Sequence, residues 1–137
     1  MPDLRLNLVT PQKDILHTDV DQVTAPSVMG EVGILPHHLP LLAQLQEGAV
    51  GLFVGTTTKY YAVSGGFLEV DRNTVNILAD TAERADDIDV KRSRRALKDA
   101  TKKLETLKYT DPEYAEQEKR ARRAQVRLQV AEKGAKA

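Results

Sequence analysis

A chain of 137 residues can bury a core without covalent staples, and the absence of cysteine excludes disulfides and thiolate metal sites. Its 20 Lys+Arg and 20 Asp+Glu cancel, but the first 90 residues hold five of the bases and 13 of the acids, a net of −8, which leaves +8 for the last 47. A division this lopsided points to two modules with different tasks, and attraction between them favours folding the basic tail back unless an acidic partner competes for it.

The opening Met1-Pro2-Asp3-Leu4-Arg5 lacks the basic patch and apolar block of a signal peptide. No apolar run approaches the roughly 20 residues that span a bilayer. The expectation is a cytosolic protein that meets a membrane only through a partner. Leu4, Leu6 and Leu8 alternate with Arg5 and Asn7, which predicts a first strand with one apolar face, broken by Thr10-Pro11-Gln12-Lys13. Val20, Val23 and Ala25 predict a short strand closed by Pro26-Ser27. Residues 49–54 form a continuous apolar run, as in a strand covered on both faces. Gly55-Thr56-Thr57-Thr58 turns into a strand over 59–63, and Gly65-Gly66 reads as a tight turn before the next strand, 67–70. Asp71-Arg72-Asn73 is a polar turn, followed by a strand over 74–79 with Val75, Ile77 and Ala79 on one face. Regular short strands with turn signals predict an all-β sandwich or barrel over residues 1–85.

From Asp86 the period changes. Val90, Ser93, Leu97, Ala100, Leu104 and Leu107 step by three and four, one stripe of a helix, with Asp86 or Asp87 as the expected N-cap. Tyr109-Thr110-Asp111-Pro112 interrupts it; Asp111 suits a cap and Pro112 a first helical position. A second stripe runs through Tyr114, Ala121, Ala124, Leu128 and Ala131. Residues 86–137 therefore predict an antiparallel helical hairpin. Its seam leans on Ser and Ala, which bury little area at roughly 25 cal/mol per Å². Such a hairpin needs the sandwich, a partner or a ligand to fix it, as a mobile arm does.

The residues support no catalysis. Ser64 stands before Gly-Gly but in no Gly-x-Ser-x-Gly elbow, and Asp19 and Asp21 read as solvated loop carboxylates. Gly65-Gly66 lacks the Gly-Lys-Ser/Thr ending of a phosphate loop. His37 and His38 are adjacent, so their side chains diverge, and His17 is the only other imidazole, too few to converge on a metal. The basic runs on the helices, including Arg94, Arg95, Lys98, Lys102, Arg122 and Arg123, read either as a solvated face or as a docking face for an acidic partner.

Three segments together resemble the bacterial ATP synthase epsilon family: the run from Gly30-Glu31-Val32-Gly33-Ile34-Leu35-Pro36-His37-His38 to Leu42, then Ala62-Val63-Ser64-Gly65-Gly66-Phe67-Leu68-Glu69-Val70, then Ala82-Glu83-Arg84-Ala85-Asp86-Asp87-Ile88-Asp89. The resemblance spans nearly the whole chain and weakens after about residue 93. It implies a β-sandwich of about ten strands followed by a two-helix regulatory domain. It implies a non-catalytic central-stalk subunit of a proton-translocating F-type ATP synthase. In that role the sandwich joins the gamma subunit to the membrane-embedded c-ring, and the helices extend along gamma to hinder ATP hydrolysis. Gly30, Glu31, Val32, Gly33 and His38 are the implied c-ring or gamma contacts, in a loop running from Gly30 to His38. Arg94, Arg95, Lys98, Lys102, Arg122 and Arg123 are the implied regulatory face toward an acidic segment of the beta or alpha subunits. No cofactor is required. Glu83, Ile88, Asp89 and Arg92 are the implied contacts for ATP as a regulatory ligand, although Ser93 replaces the family's Ala and Asp99 stands where some ATP-binding members carry Arg. His37 occupies a place where the family usually has Gly. The implied location is peripheral, at the cytoplasmic face of the bacterial inner membrane, through the complex. The competing reading is a free adaptor whose basic hairpin binds nucleic acid; the lack of an aromatic stacking platform on the second helix speaks against it.

Overall fold

The structure is a computed structural model that describes residues 3–136; Met1, Pro2 and Ala137, the outermost residues of the two expected modules, lie outside the described residues. Strand β1 (Leu4–Val9) buries Leu4, Leu6 and Leu8 completely, as the alternation requires. It pairs antiparallel with β2 (Asp14–Val20) and parallel with β8 (Thr74–Arg84). Strand β3 (Gln22–Ser27) contains Pro26-Ser27 rather than ending before them. Beyond Thr24 the ladder from β3 to β6 (Gly48–Val54) has ended, so the missing Pro26 N–H costs that ladder nothing. Strand β4 (Gly30–Ile34) pairs with β3, and β5 (Leu41–Gln44) pairs with β7 (Thr57–Asp71).

The turn expected at Gly65-Gly66 is absent. Both glycines lie inside β7, a continuous strand of 15 residues. Their φ values of +63° and +107° bend the strand while its ladder with β8 keeps one register, Ser64 opposite Thr81 and Gly66 opposite Ala79. A side chain on Gly66 would collide with the Leu78 carbonyl oxygen, so close backbone approach demands glycine there. On its other side β7 exchanges neighbours at the bend, from β6 (through Val63) to β5 (from Phe67). The eight strands form one sheet in the order β2-β1-β8-β7-β6-β3-β4, with β5 on β7. The halves on either side of the bend close on a single core: Leu6, Leu8, Leu68 and Ile77 from one, Val23, Val50, Leu52 and Val63 from the other. The sandwich is therefore as expected, with eight strands among the described residues instead of about ten because β7 and β8 each serve both layers.

At the far end of β7, Asp71 pairs with Thr74 across Arg72 (φ 50°) and Asn73 (φ 62°). Two left-handed residues are what a two-residue hairpin of type I′ needs. After β8 a single 3-10 turn, Ala85–Asp87, precedes the first helix, α1 (Val90–Thr106). Its N-cap is Asp89, whose Oδ1 accepts from Arg92 N–H at 3.0 Å. The expected caps Asp86 and Asp87 instead lie in the 3-10 turn, after which Ile88 returns to extended backbone. Asp111 Oδ1 accepts from Glu113 N–H at 2.9 Å and Pro112 opens α2 (Pro112–Lys136), as the sequence predicts.

Candidate functional site

Helix α2 has two working faces. Toward α1 it buries Gln117 and Ala124, opposite Ser93 and Ala100 on the first helix. Toward the sandwich it presents Val130, buried with Ala62, Ala85 and Ile88, while Val126, Ala131, Ala49 and Tyr60 pack around them. Ala49 and Ala62 are cross-strand partners in β6 and β7, and Ala62 stands opposite Glu83 in β8. The outer face of three strands, kept low by two alanines, is thus the seat for the helix. Arg127 Nε lies 3.0 Å from Glu83 Oε1, yet no hydrogen bond to that buried oxygen forms, so the contact is coulombic. Lys133 Nζ stands 5.7 Å from the Tyr60 ring centroid.

Beside this junction a cavity of about 560 Å³ opens between the modules, lined among others by Lys13, Glu47, Tyr61, Glu83, Arg84 and Arg123. Burial raises the Tyr61 phenol above its ordinary value, with Arg84 pulling the other way. A second cavity, of about 550 Å³, lies between Thr81 and the hairpin and mixes Asp99 and Glu116 with Lys103, Arg120 and Arg123. Arg123 lines both.

The four implied ATP contacts do four different things here. Glu83 faces Arg127, Ile88 is buried in the junction, Asp89 caps α1, and Arg92 is exposed one turn into the helix. Of the four, Glu83 lines the first of these two cavities. Of the six basic-face residues, Arg94, Arg95, Lys98 and Lys102 are exposed on α1 and Arg122 and Arg123 on α2. Among the described residues, the ion pairs made by α1 and α2 are those of Arg127 with Glu83 and Lys136 with Glu132, so the six remain available.

The loop expected from Gly30 to His38 divides in two. Gly30, Glu31, Val32 and Gly33 belong to β4, at one edge of the sheet, beside an exposed tip where Met29 is 92 % accessible. Ser27 Oγ donates to Gly30 O at 2.6 Å and accepts from Met29 N–H, which holds that tip. His38 lies past the other end of β4, in a turn closed by its N–H on Leu35 O at 3.2 Å. Pro36 takes the second position of that turn and His37 the third with φ 67°, the pattern of a type II turn, in which glycine is favoured at the third position. His37 N–H donates to Asn73 Oδ1 at 2.6 Å, tying this turn to the β7–β8 hairpin.

One surface escaped the sequence reading. Phe67 (54 % exposed) and Leu78 (49 %) are cross-strand partners on the outward face, and Leu42 (72 %) stands two residues along β5 from Gln44, the partner of Phe67. The available signal was apolar residues on the solvent phase of strands whose other phase fills the core.

Comparison with known proteins matches residues 3–85 to the family "ATP synthase, Delta/Epsilon chain, beta-sandwich domain" and residues 86–132 to "ATP synthase, Delta/Epsilon chain, long alpha-helix domain". An ATP synthase epsilon chain of Halalkalibacterium halodurans is 47 % identical over 96 % of this chain and 98 % of its own length. One from Herpetosiphon aurantiacus is 48 % identical over 93 % of both. Among solved structures, a chain of the Euglena gracilis mitochondrial ATP synthase OSCP/F1/c-ring assembly shares the fold with a TM-score of 0.73 at 24 % identity, over 96 % of this chain and 79 % of its own. A chain of the Tetrahymena thermophila mitochondrial ATP synthase central stalk and c-ring does so with a TM-score of 0.59 at 16 % identity, over 94 % of this chain and 96 % of its own.

Proposed function

The chain belongs to the ATP synthase Delta/Epsilon chain family and functions as an epsilon subunit of an F-type ATP synthase; from that premise we propose that it is a non-catalytic rotor part whose sandwich grips and whose hairpin regulates. The observation that carries this reading is the disparity of the two packings. Among the described residues, a core of 17 buried residues makes the sandwich rigid, while a cluster of four holds the hairpin onto it. A part that transmits torque needs the first, and an arm with two resting places needs the second, because a few kcal/mol of differential binding then suffices to move it.

Under this proposal the apolar strip of Leu42, Phe67 and Leu78 faces the gamma subunit, since an exposed patch of this kind fits a permanent partner. The β4 edge with Glu31 and the turn with His38 supply contacts toward the c-ring. The exposed Arg94, Arg95, Lys98, Lys102, Arg122 and Arg123 meet an acidic segment of the beta or alpha subunits when the hairpin lifts, an association that weakens with salt. Among the described residues no helix is long and apolar enough to cross a membrane, which suits peripheral attachment at the cytoplasmic face through the complex. No cofactor is required for any of this. Regulatory ATP at Glu83, Ile88, Asp89 and Arg92 belongs to a rearranged junction, because in the docked state Ile88 is buried and Asp89 is engaged as a cap. Family membership replaces the free nucleic-acid adaptor as the reading of the basic hairpin.

The test is reconstitution of the hydrolytic complex with the full chain and with a chain ending at Ala85. Co-purification of both, with faster ATP hydrolysis for the shorter one, is expected. Equal rates remove the inhibitory role, and failure of the full chain to co-purify removes the rotor role.

A further inference from the structure

The sandwich-facing stripe of α2 ends on a glycine. Val126, Val130 and Gly134 recur every four residues and so share one face. Glycine is a poor choice within a helix, where alanine costs less backbone entropy. The docked position explains it: a methyl group at Gly134 would lie 2.6 Å from Ala85 Cβ, well inside contact distance. Neither group has a side-chain torsion with which to step aside. The charged junction contacts are softer, since the long side chains of Arg127 and Lys133 adjust their reach toward Glu83 and Tyr60.

We infer that Gly134 is the steric key of the docked hairpin: the missing methyl lets the last turns of α2 settle on Ala85, and restoring it drives the hairpin off the sandwich while leaving the helix itself better formed. The α2 C-terminal end, rather than the α1–α2 seam, then decides which resting place is occupied. The inference rests on the reading that the hairpin has a second position.

The experiment substitutes Gly134→Ala in the full chain and measures amide hydrogen exchange at Ile88, whose N–H bonds to Ala85 O in the docked junction, with β7 amides as internal control. Exchange at Ile88 should rise by about fivefold or more, the lower end of what overpacking a fixed contact costs, while β7 stays protected. The double variant Ala85→Gly/Gly134→Ala moves the methyl from one side of the contact to the other. It should return exchange to within about threefold of the parent, because the new Cβ then faces the Ala85 Cα position at 3.9 Å, an ordinary contact. Unchanged exchange in the single variant, or no rescue in the double, overturns the inference. Hydrolysis by the reconstituted complex separates the two readings. Released exchange with lower hydrolysis supports both; released exchange with unaltered hydrolysis leaves the steric key standing and removes the inhibitory role.

Discussion

The sandwich and the hairpin use opposite materials for the same task of burying a face. Inside the sandwich, Leu, Ile and Val interdigitate from two layers and are almost wholly excluded from water. Inside the hairpin seam the buried positions are Ser93, Ala100, Gln117 and Ala124, which remove little apolar area from solvent. The first arrangement has one good packing and resists alternatives. The second is shallow enough that a different surface can replace it, so the stabilities of the two modules should be separable by mutation.

The largest effect should come from the sandwich. Leu68→Ala removes a fully buried side chain at the centre of the core and should cost about 3 kcal/mol, read as a lower urea midpoint for the whole β module. Loss of the same size confined to the helices would contradict the separation. Val130→Ala, at the joint, should cost about 2 kcal/mol of docking and leave the sandwich midpoint in place. It should appear as a separate, earlier loss of far-ultraviolet helical signal; a single shifted transition would mean that the modules unfold as one. Smallest is His37→Gly, which relieves a left-handed residue and should raise the urea midpoint by about 0.5 kcal/mol of stability after the added chain entropy of glycine is deducted. A lowered midpoint would show that the imidazole contributes more than the backbone strain removes.

These contrasts also explain what could be read in advance. Leu4, Leu6 and Leu8 announce β1, and the α1 stripe from Val90 to Leu107 announces its helix, because a single buried face imposes a single period. Strands β2, β4 and β5 were not legible: each pairs on one edge alone and need not alternate cleanly. Gly65-Gly66 misled for a different reason, since a turn and a bend ask for the same left-handed backbone, and only the ladder to β8 distinguishes them. The sandwich-facing stripe of α2 was hidden because two partners divide the helix surface, and the alanines toward α1 mask Val126, Val130 and Gly134. Glu83, Ile88, Asp89 and Arg92 are close together in the chain, but their separate employments follow from where β8 ends and α1 begins, which residue identity does not reveal.

The bent β7–β8 ribbon runs unbroken from the Arg72–Asn73 turn to the threshold of the helices at Arg84, through both layers of the sandwich. A force applied at either end is therefore shared among many parallel backbone bonds and never has to cross a compliant loop. Stiffness of this kind belongs to the main chain, so side chains on its outer surface are at liberty to diverge as neighbouring subunits change, while the piece still turns as one body.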